Sequence, residues 1–402
     1  MKHINLLLVL LAINTNIILG SIVPVEKAQR VARNAYYERI GQFDKSINSE
    51  ITFEKPIIVK AKALPVYYVF NSLSDNSFIV VSADDIATPV LAFSSESKLN
   101  PDNCIPPVKN LLAFYEEQIL FARENNYEAD KEVIKEWQYY ASQNFTAKKA
   151  SKADYLLNSL WDQDIYFNNA CPLSNEGKTP SYLGGRVYAG CDATAMAQII
   201  RYHTYPKSGK GTKTYSSPTS ICPGFPKYGP LTVNFAAQTY NYSSMPYSNI
   251  TASNCSEIAK LLYHCGVAME MCYSIQGSGA YIYSVASAYT DYFDYTSSPN
   301  KPTVYSKDNS DASVWEGAMK AEIDAKRPVH YAGNSSSGND GHAFVLDGYS
   351  GSTFHFNFGW KGSQNGFYAL SAIKVTASST SHNYSYHQFA ILPIIPKSTG
   401  PV

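Results

Sequence analysis

The chain has 402 residues, 45% of them apolar, and its 33 Lys and Arg balance 33 Asp and Glu to a formal net charge of zero. That length supplies two domains, each with its own core. The charge balance argues against a polyanion-binding surface as the main function.

Lys2 followed by the apolar run Ile4 to Ile13 predicts a secretory signal over residues 1–20. Asn14 and Asn16 interrupt the run, which leaves it too short for a membrane span, and no other segment is long and apolar enough to be one. Residues 21–148 read as a separate unit. Helical spacing covers Val25 to Gly41, behind Pro24. Val66 to Phe70 and Phe78 to Val81 are strand-like runs flanking Asp75-Asn76, a hairpin pattern. Pro106-Pro107 opens a helix with Leu111, Leu112, Tyr115 and Ile119 on its apolar side, and another helix covers Lys131 to Ser142. The polar, basic stretch Gln143 to Lys152 is an exposed linker, the kind of segment where proteolytic nicking concentrates.

The second unit, residues 149–402, begins with helices. Gly190 precedes the helix-favouring run Cys191 to Tyr202, which Pro206 and Gly209 end. Ser208 to Ser253 reads as long loops with short strands. Ile258, Leu261, Leu262, Cys265 and Met269 repeat at helical spacing over Ser256 to Met269, and further helices cover Ser284 to Tyr292 and Ser313 to Lys326. From Pro328 the pattern turns to short strands: Val329 to Ala332, His342 to Tyr349, Thr353 to Phe358, Phe367 to Leu370 and Gln388 to Ile394. Helices first and an antiparallel sheet later is an α+β arrangement with a cleft between the two halves.

Two residues stand out for chemistry. Cys191 falls in the first turn of its helix, where the partial positive charge favours thiolate, the nucleophilic form. His342 opens an apolar strand after the small-residue turn Gly338 to Gly341, which leaves room for a substrate backbone. His203 is more than three helical turns from Cys191, His264 sits in a core helix, and His330 and His355 read as packing or surface residues flanking strands. Asn357 follows as a candidate to orient the imidazole. Asp347 is its rival, but five residues along one strand place its side chain on the face opposite His342. Seven cysteines leave six besides Cys191. Cys104 falls in the first unit, and Cys265 and Cys272, if on one helix, stand about 10 Å apart, too far to bond. Buried free thiols with at most one or two disulfides are expected. Neither a Cys-x-x-Cys pair nor clustered His/Cys spacing suggests zinc, so no metal and no cofactor are expected.

The order Cys, His, Asn is that of papain-like cysteine peptidases. The chain further resembles the streptopain-like family of secreted bacterial cysteine peptidases. The matching pieces are Trp161-Asp162-Gln163, Gly190-Cys191 with its Ala-Thr-Ala-Met-Ala-Gln helix, Tyr205-Pro206, Gly277-Ser278-Gly279-Ala280, Gly341-His342-Ala343-Phe344-Val345 and Asn357-Phe358-Gly359-Trp360. Upstream, Tyr68 to Asn71 and Phe78 to Asp85 resemble the family's inhibitory propeptide. The resemblance implies an α+β papain-like peptidase domain behind an α+β propeptide, made as a secreted zymogen that cuts proteins or peptides. The propeptide is then its intramolecular inhibitor, and neither a nucleic acid nor a membrane is a partner after signal removal. It also implies Cys191 as nucleophile, His342 as general base and acid, Asn357 as orienter and Gln163 as oxyanion donor. Gly341, Ser278, Gly279 and Trp360 border the substrate, with Trp360 beside the His–Asn pair. The chain departs from the family's Asn-Trp-Gly-Trp-Gly-Gly at Phe358 and Lys361, and Asp192 replaces the usual apolar residue after the nucleophile. A carboxylate there raises the thiol pKa if it faces the cleft. A Cys-dependent acyl transferase on the same scaffold, or an inactive binding homologue, are the other readings.

Overall fold

The strands alternate large apolar side chains to both faces, so each strand needs cover on two sides. In the computed structural model, which describes residues 21–40, 51–146, 155–218, 220, 222–335, 341–374 and 386–397, they form one long antiparallel sheet. The predicted signal at residues 1–20, most of the linker, and residues 336–340 ahead of His342 lie outside the described residues.

Along the chain the elements are α1 (Val25–Ala35), β1 (Ile57–Ala61), β2 (Leu64–Asn71), β3 (Phe78–Ser82), β4 (Val90–Ser94), α2 (Pro106–Glu124) and α3 (Lys131–Tyr140). There follow α4 (Cys191–His203), β5 (Thr212–Ser217), β6 (Tyr228–Asn234), α5 (Ser256–Ala268), α6 (Ile282–Asp291), β7 (Thr303–Ser306) and α7 (Ala312–Asp324). The chain closes with β8 (Val329–Ser335), β9 (His342–Ser350), β10 (Thr353–Asn357), β11 (Gly366–Ala369) and β12 (Tyr386–Leu392). The large sheet has the order β1-β2-β3-β4-β11-β10-β9-β8-β12-β7, and β5 and β6 form a separate hairpin.

The sequence reading treats residues 21–148 as a unit apart, yet the sheet runs through both. β4 pairs with β11 through Phe93 opposite Phe367 and Ala92 opposite Tyr368, and the two phenyl rings stack at 4.7 Å. One face of the sheet carries Phe78, Val80, Phe344, Leu346 and Phe356 under α2 and α7. The other carries Ile79, Val81 and Phe367 under α1 and α3, then Ala343, Val345 and Ile391 under α4, α5 and α6. Helix α2 reaches across the junction. Its Tyr115 hydroxyl donates to Ala369 O (2.5 Å), Gln118 Nε2 donates to Ser371 Oγ (2.8 Å), and Gln118 Oε1 accepts from Ala372 N (2.7 Å). Arg39, behind α1, donates to Thr353 Oγ1 (3.0 Å). Among the described residues no helix is long and apolar enough to cross a membrane.

Candidate active site

Gly190 makes the start of α4 possible. Its φ is +97°, a backbone conformation that L side chains rarely adopt, and a Cβ there would press on Met271 Cε at 2.6 Å and Ser278 O at 3.1 Å. Cys191 is then the first helical residue, as the sequence predicts. Helix α4 packs on β9, whose first residue is His342. Cys191, His342, Gly341, Gln163, Ser278, Gly279 and Trp360 all line one cleft of about 1160 Å³. Pro106, the first residue of α2, lines it too, so the N-terminal unit reaches the cleft edge.

The thiol is not in the state that helix position alone predicts. Burial pushes the Cys191 thiol up to about 12, and the Asp192 carboxylate adds to the rise. The Ala343 N–H, one residue beyond His342, opposes it as a donor to the sulfur. The helix N-terminus is a partial charge, and desolvation outweighs it here.

The Gln163 backbone is tied to the nucleophile's strand of approach, since its carbonyl accepts from Ala189 N at 2.9 Å. Trp360 stands edge-on to His342, with ring centroids 6.2 Å apart. Asn357 is buried, and its amide is directed to the backbone. Nδ2 donates to Ser159 O (2.7 Å) and Oδ1 accepts from Gly359 N (3.1 Å). Gly359 has φ +71° and comes so near α4 that a Cβ would sit 2.9 Å from Thr194 Cγ2. Ser278 is held within the rim, its hydroxyl donating to Tyr188 O at 2.8 Å. One disulfide, Cys222–Cys272, joins the loop before β6 to the same rim; Cys104, Cys171, Cys191, Cys255 and Cys265 are free.

The rival groups go elsewhere. The Asp347 carboxylate is taken by His355 Nδ1 (2.6 Å) and the Leu157 N–H (2.8 Å). Burial pushes His203 and His264 down to about 4, with Arg327 and Lys260 respectively adding to it. His330 and His355, read as packing or surface residues, are both buried. Phe358, the first departure from the family's pattern, lies away from the cleft lining. It packs into the sheet's core against Phe344 (5.1 Å) and Tyr368 (5.4 Å). Lys361 has φ +53°, a backbone region that favours glycine, and its ammonium bonds Asp164 Oδ1 at 2.7 Å and approaches Asp162 Oδ2 at 3.4 Å. That bridge ties the turn after Asn357 to the Gln163 segment. Sequence reasoning marked Lys361 only as a departure, because its partners flank Gln163 nearly two hundred positions upstream.

The peptidase C10 family model matches residues 161–368, over half of the chain. The chain belongs to the peptidase C10 family. A Spi protease inhibitor model matches residues 20–119, so this C10 member carries an inhibitor-type domain ahead of its cysteine-type peptidase domain. Streptopain of Streptococcus pyogenes is 29% identical over 346 residues, covering 82% of this chain and 80% of its own length. The thiol protease/hemagglutinin PrtT of Porphyromonas gingivalis is 26% identical over 413 residues. That match covers 99% of this chain but 45% of PrtT, so the chain spans about half of that relative's length. A Prevotella intermedia prointerpain A fragment, solved as a Cys-to-Ala mutant, superposes with a TM-score of 0.66 at 25% identity, over 86% of this chain and 100% of the fragment. The α+β fold is therefore shared with the prointerpain A fragment.

Proposed function

We propose that this C10 member is a secreted cysteine endopeptidase made as a zymogen, with residues 1–20 as signal, 21–148 as propeptide and 149–402 as the peptidase domain. The observation that carries this reading is the shared cleft, where Cys191, His342 and Gln163 meet and the Ala343 N–H is directed at the Cys191 sulfur. In the active enzyme the Cys191 proton passes to His342, and the thiolate attacks the peptide carbonyl carbon. The Cys191 N–H and the Gln163 amide donate to the oxyanion. As the C–N bond breaks, His342 returns the proton to the leaving amine, which leaves an acyl-thioester on Cys191. Water, deprotonated by His342, then releases the acid and regenerates the thiol. Asn357 Oδ1 has a second lone pair beyond the one used by Gly359 N, and this pair accepts the imidazole N–H. Gly341, Ser278, Gly279 and Trp360 border the substrate chain. With the propeptide docked, Pro106 of α2 stands at the cleft edge, and the unprocessed chain is latent.

The test is labelling of the processed protein with a thiol-directed epoxide peptide, followed by mass mapping. Cys191 is the expected adduct, and Cys191→Ala abolishes both the adduct and peptide hydrolysis. Failure of Cys191 to label would overturn the reading. Amine incorporation in place of hydrolysis would move the chain to acyl transfer.

A further inference from the structure

Asp192 is the second residue of α4 and is almost fully buried, 7% exposed. Its Oδ2 accepts a long hydrogen bond from Ala280 N (3.3 Å) and lies 3.9 Å from Cys191 Sγ. A carboxylate so close to the sulfur opposes thiolate formation by like-charge repulsion. It is also a polar group out of water, which needs hydrogen-bond partners. The backbone N–H of Ala280 is a dipole and supplies only part of that.

A second polar group faces it from β8. His330 is fully buried, and its Nε2 lies 3.5 Å from Asp192 Oδ1. That Nε2 makes no hydrogen bond among the described residues. On the ring's other side, Nδ1 is 3.4 Å from the Tyr289 hydroxyl of α6. The β-strand neighbours of His330 are Val345 on β9 and Ile391 on β12, neither of them titratable. The titratable groups placed against its ring are Asp192 on α4 and Tyr289 on α6. Burial and the Asp192 charge both push the Cys191 thiol up, so the carboxylate's field reaches the sulfur.

We propose that His330 is a positioning residue whose Nε2 proton faces Asp192 Oδ1 and draws part of the carboxylate's field away from the sulfur, so that Cys191 ionises more readily in the active enzyme. The inference rests on Cys191 being the nucleophile. His330 touches no substrate and moves no proton in the reaction; it sets the energy of the thiolate through Asp192. The pair explains how a chain with a carboxylate next to its nucleophile remains competent for thiol chemistry.

The experiment is the pH dependence of iodoacetamide alkylation at Cys191, read by mass spectrometry on the processed protein. The proteins are the parent, Asp192→Asn, His330→Gln and the double variant. His330→Gln raises the alkylation midpoint by about one pH unit, a roughly tenfold slower labelling below it. Asp192→Asn lowers the midpoint by a similar amount. The double variant follows Asp192→Asn, because the effect of His330 runs through the carboxylate. A purely structural role changes yield or stability and leaves the midpoint in place. Should His330→Gln fail to fold, His330→Asn replaces it in the same comparison, and a midpoint equal to the parent's overturns the proposal. A double variant that keeps the upward shift of His330→Gln overturns it as well. Absence of alkylation at Cys191 in the parent at every pH removes the nucleophile reading, and the proposal with it.

Discussion

The junction between the inhibitor-type segment and the peptidase domain is open to a test that leaves the catalytic domain untouched. Phe93 on β4 is 1% exposed, stacks on Phe367 of β11 at 4.7 Å and 5°, and has the Arg39 guanidinium 5.3 Å from its ring centre. Phe93→Ala empties that position. A buried Phe→Ala change costs about 3–5 kcal/mol, shared between the junction and the segment's own core under α1 and α3. The part acting across the junction is the stacking term of about 1 kcal/mol plus a similar share of lost packing. Taken together, about 2 kcal/mol shifts the docked–undocked balance roughly 30-fold toward undocked. The assay is the rate at which the epoxide peptide labels Cys191 in the unprocessed chain. The variant labels on the order of 30 times faster than the parent, while the processed enzymes have the same kcat/KM because residue 93 has left with the propeptide. A folded variant whose unprocessed form labels at the parent's rate would refute the idea that this strand pairing maintains latency.

Gln163→Ala lowers kcat by about 10²–10³-fold with KM little changed, the signature of a donor that acts on the oxyanion, measured by steady-state kinetics on a peptide substrate. His355 gives a pH prediction for the fold. Burial alone would push its imidazole down, but the Asp347 carboxylate more than reverses this and holds it at about 9. Its folded pKa lies above the unfolded value near 6.5, so the stabilisation is complete below about 6.5 and is lost as pH rises through about 9. Denaturant midpoints of the full chain therefore fall between pH 6.5 and 9.5, and His355→Gln flattens that fall; an identical slope in the variant contradicts the assignment.

The parts of the molecule written in local patterns were legible. Predicted helices at Pro106, Cys191, Ser256 and Ser313 start within one residue of the observed ones, since proline, glycine and polar starts act on their own first turns. Five strands after Pro328 are present because alternation is a property of each strand alone. The opposite-face argument for Asp347 holds in its bonds to His355 and Leu157 for the same reason. Non-local facts were not legible. Strand β4 and its pairing with β11 depend on segments more than 270 positions apart, and no local signal encodes that partner. The thiol's upward shift comes from burial, which the helix-start pattern does not report. His330 read as a packing residue because its partner, Asp192, comes from a distant helix.

The continuous sheet gives latency a physical basis that a detachable plug would lack. A plug covers a cleft through side-chain contacts, whereas here β4 completes the backbone hydrogen bonding of β11, and Tyr115 and Gln118 satisfy the Ala369, Ser371 and Ala372 groups just beyond it. Removing the segment strips those buried polar groups of their partners at once, and leaving each unsatisfied costs about 1–3 kcal/mol unless water replaces the bond. Undocking therefore has to expose the β11 edge to water as one cooperative step, not by peeling a contact at a time. Cleavage in the linker alone does not supply that step, because the bonds across the junction are untouched by it. Loss of the segment's own fold does, since β4 and α2 cannot hold their geometry when the core under them is opened.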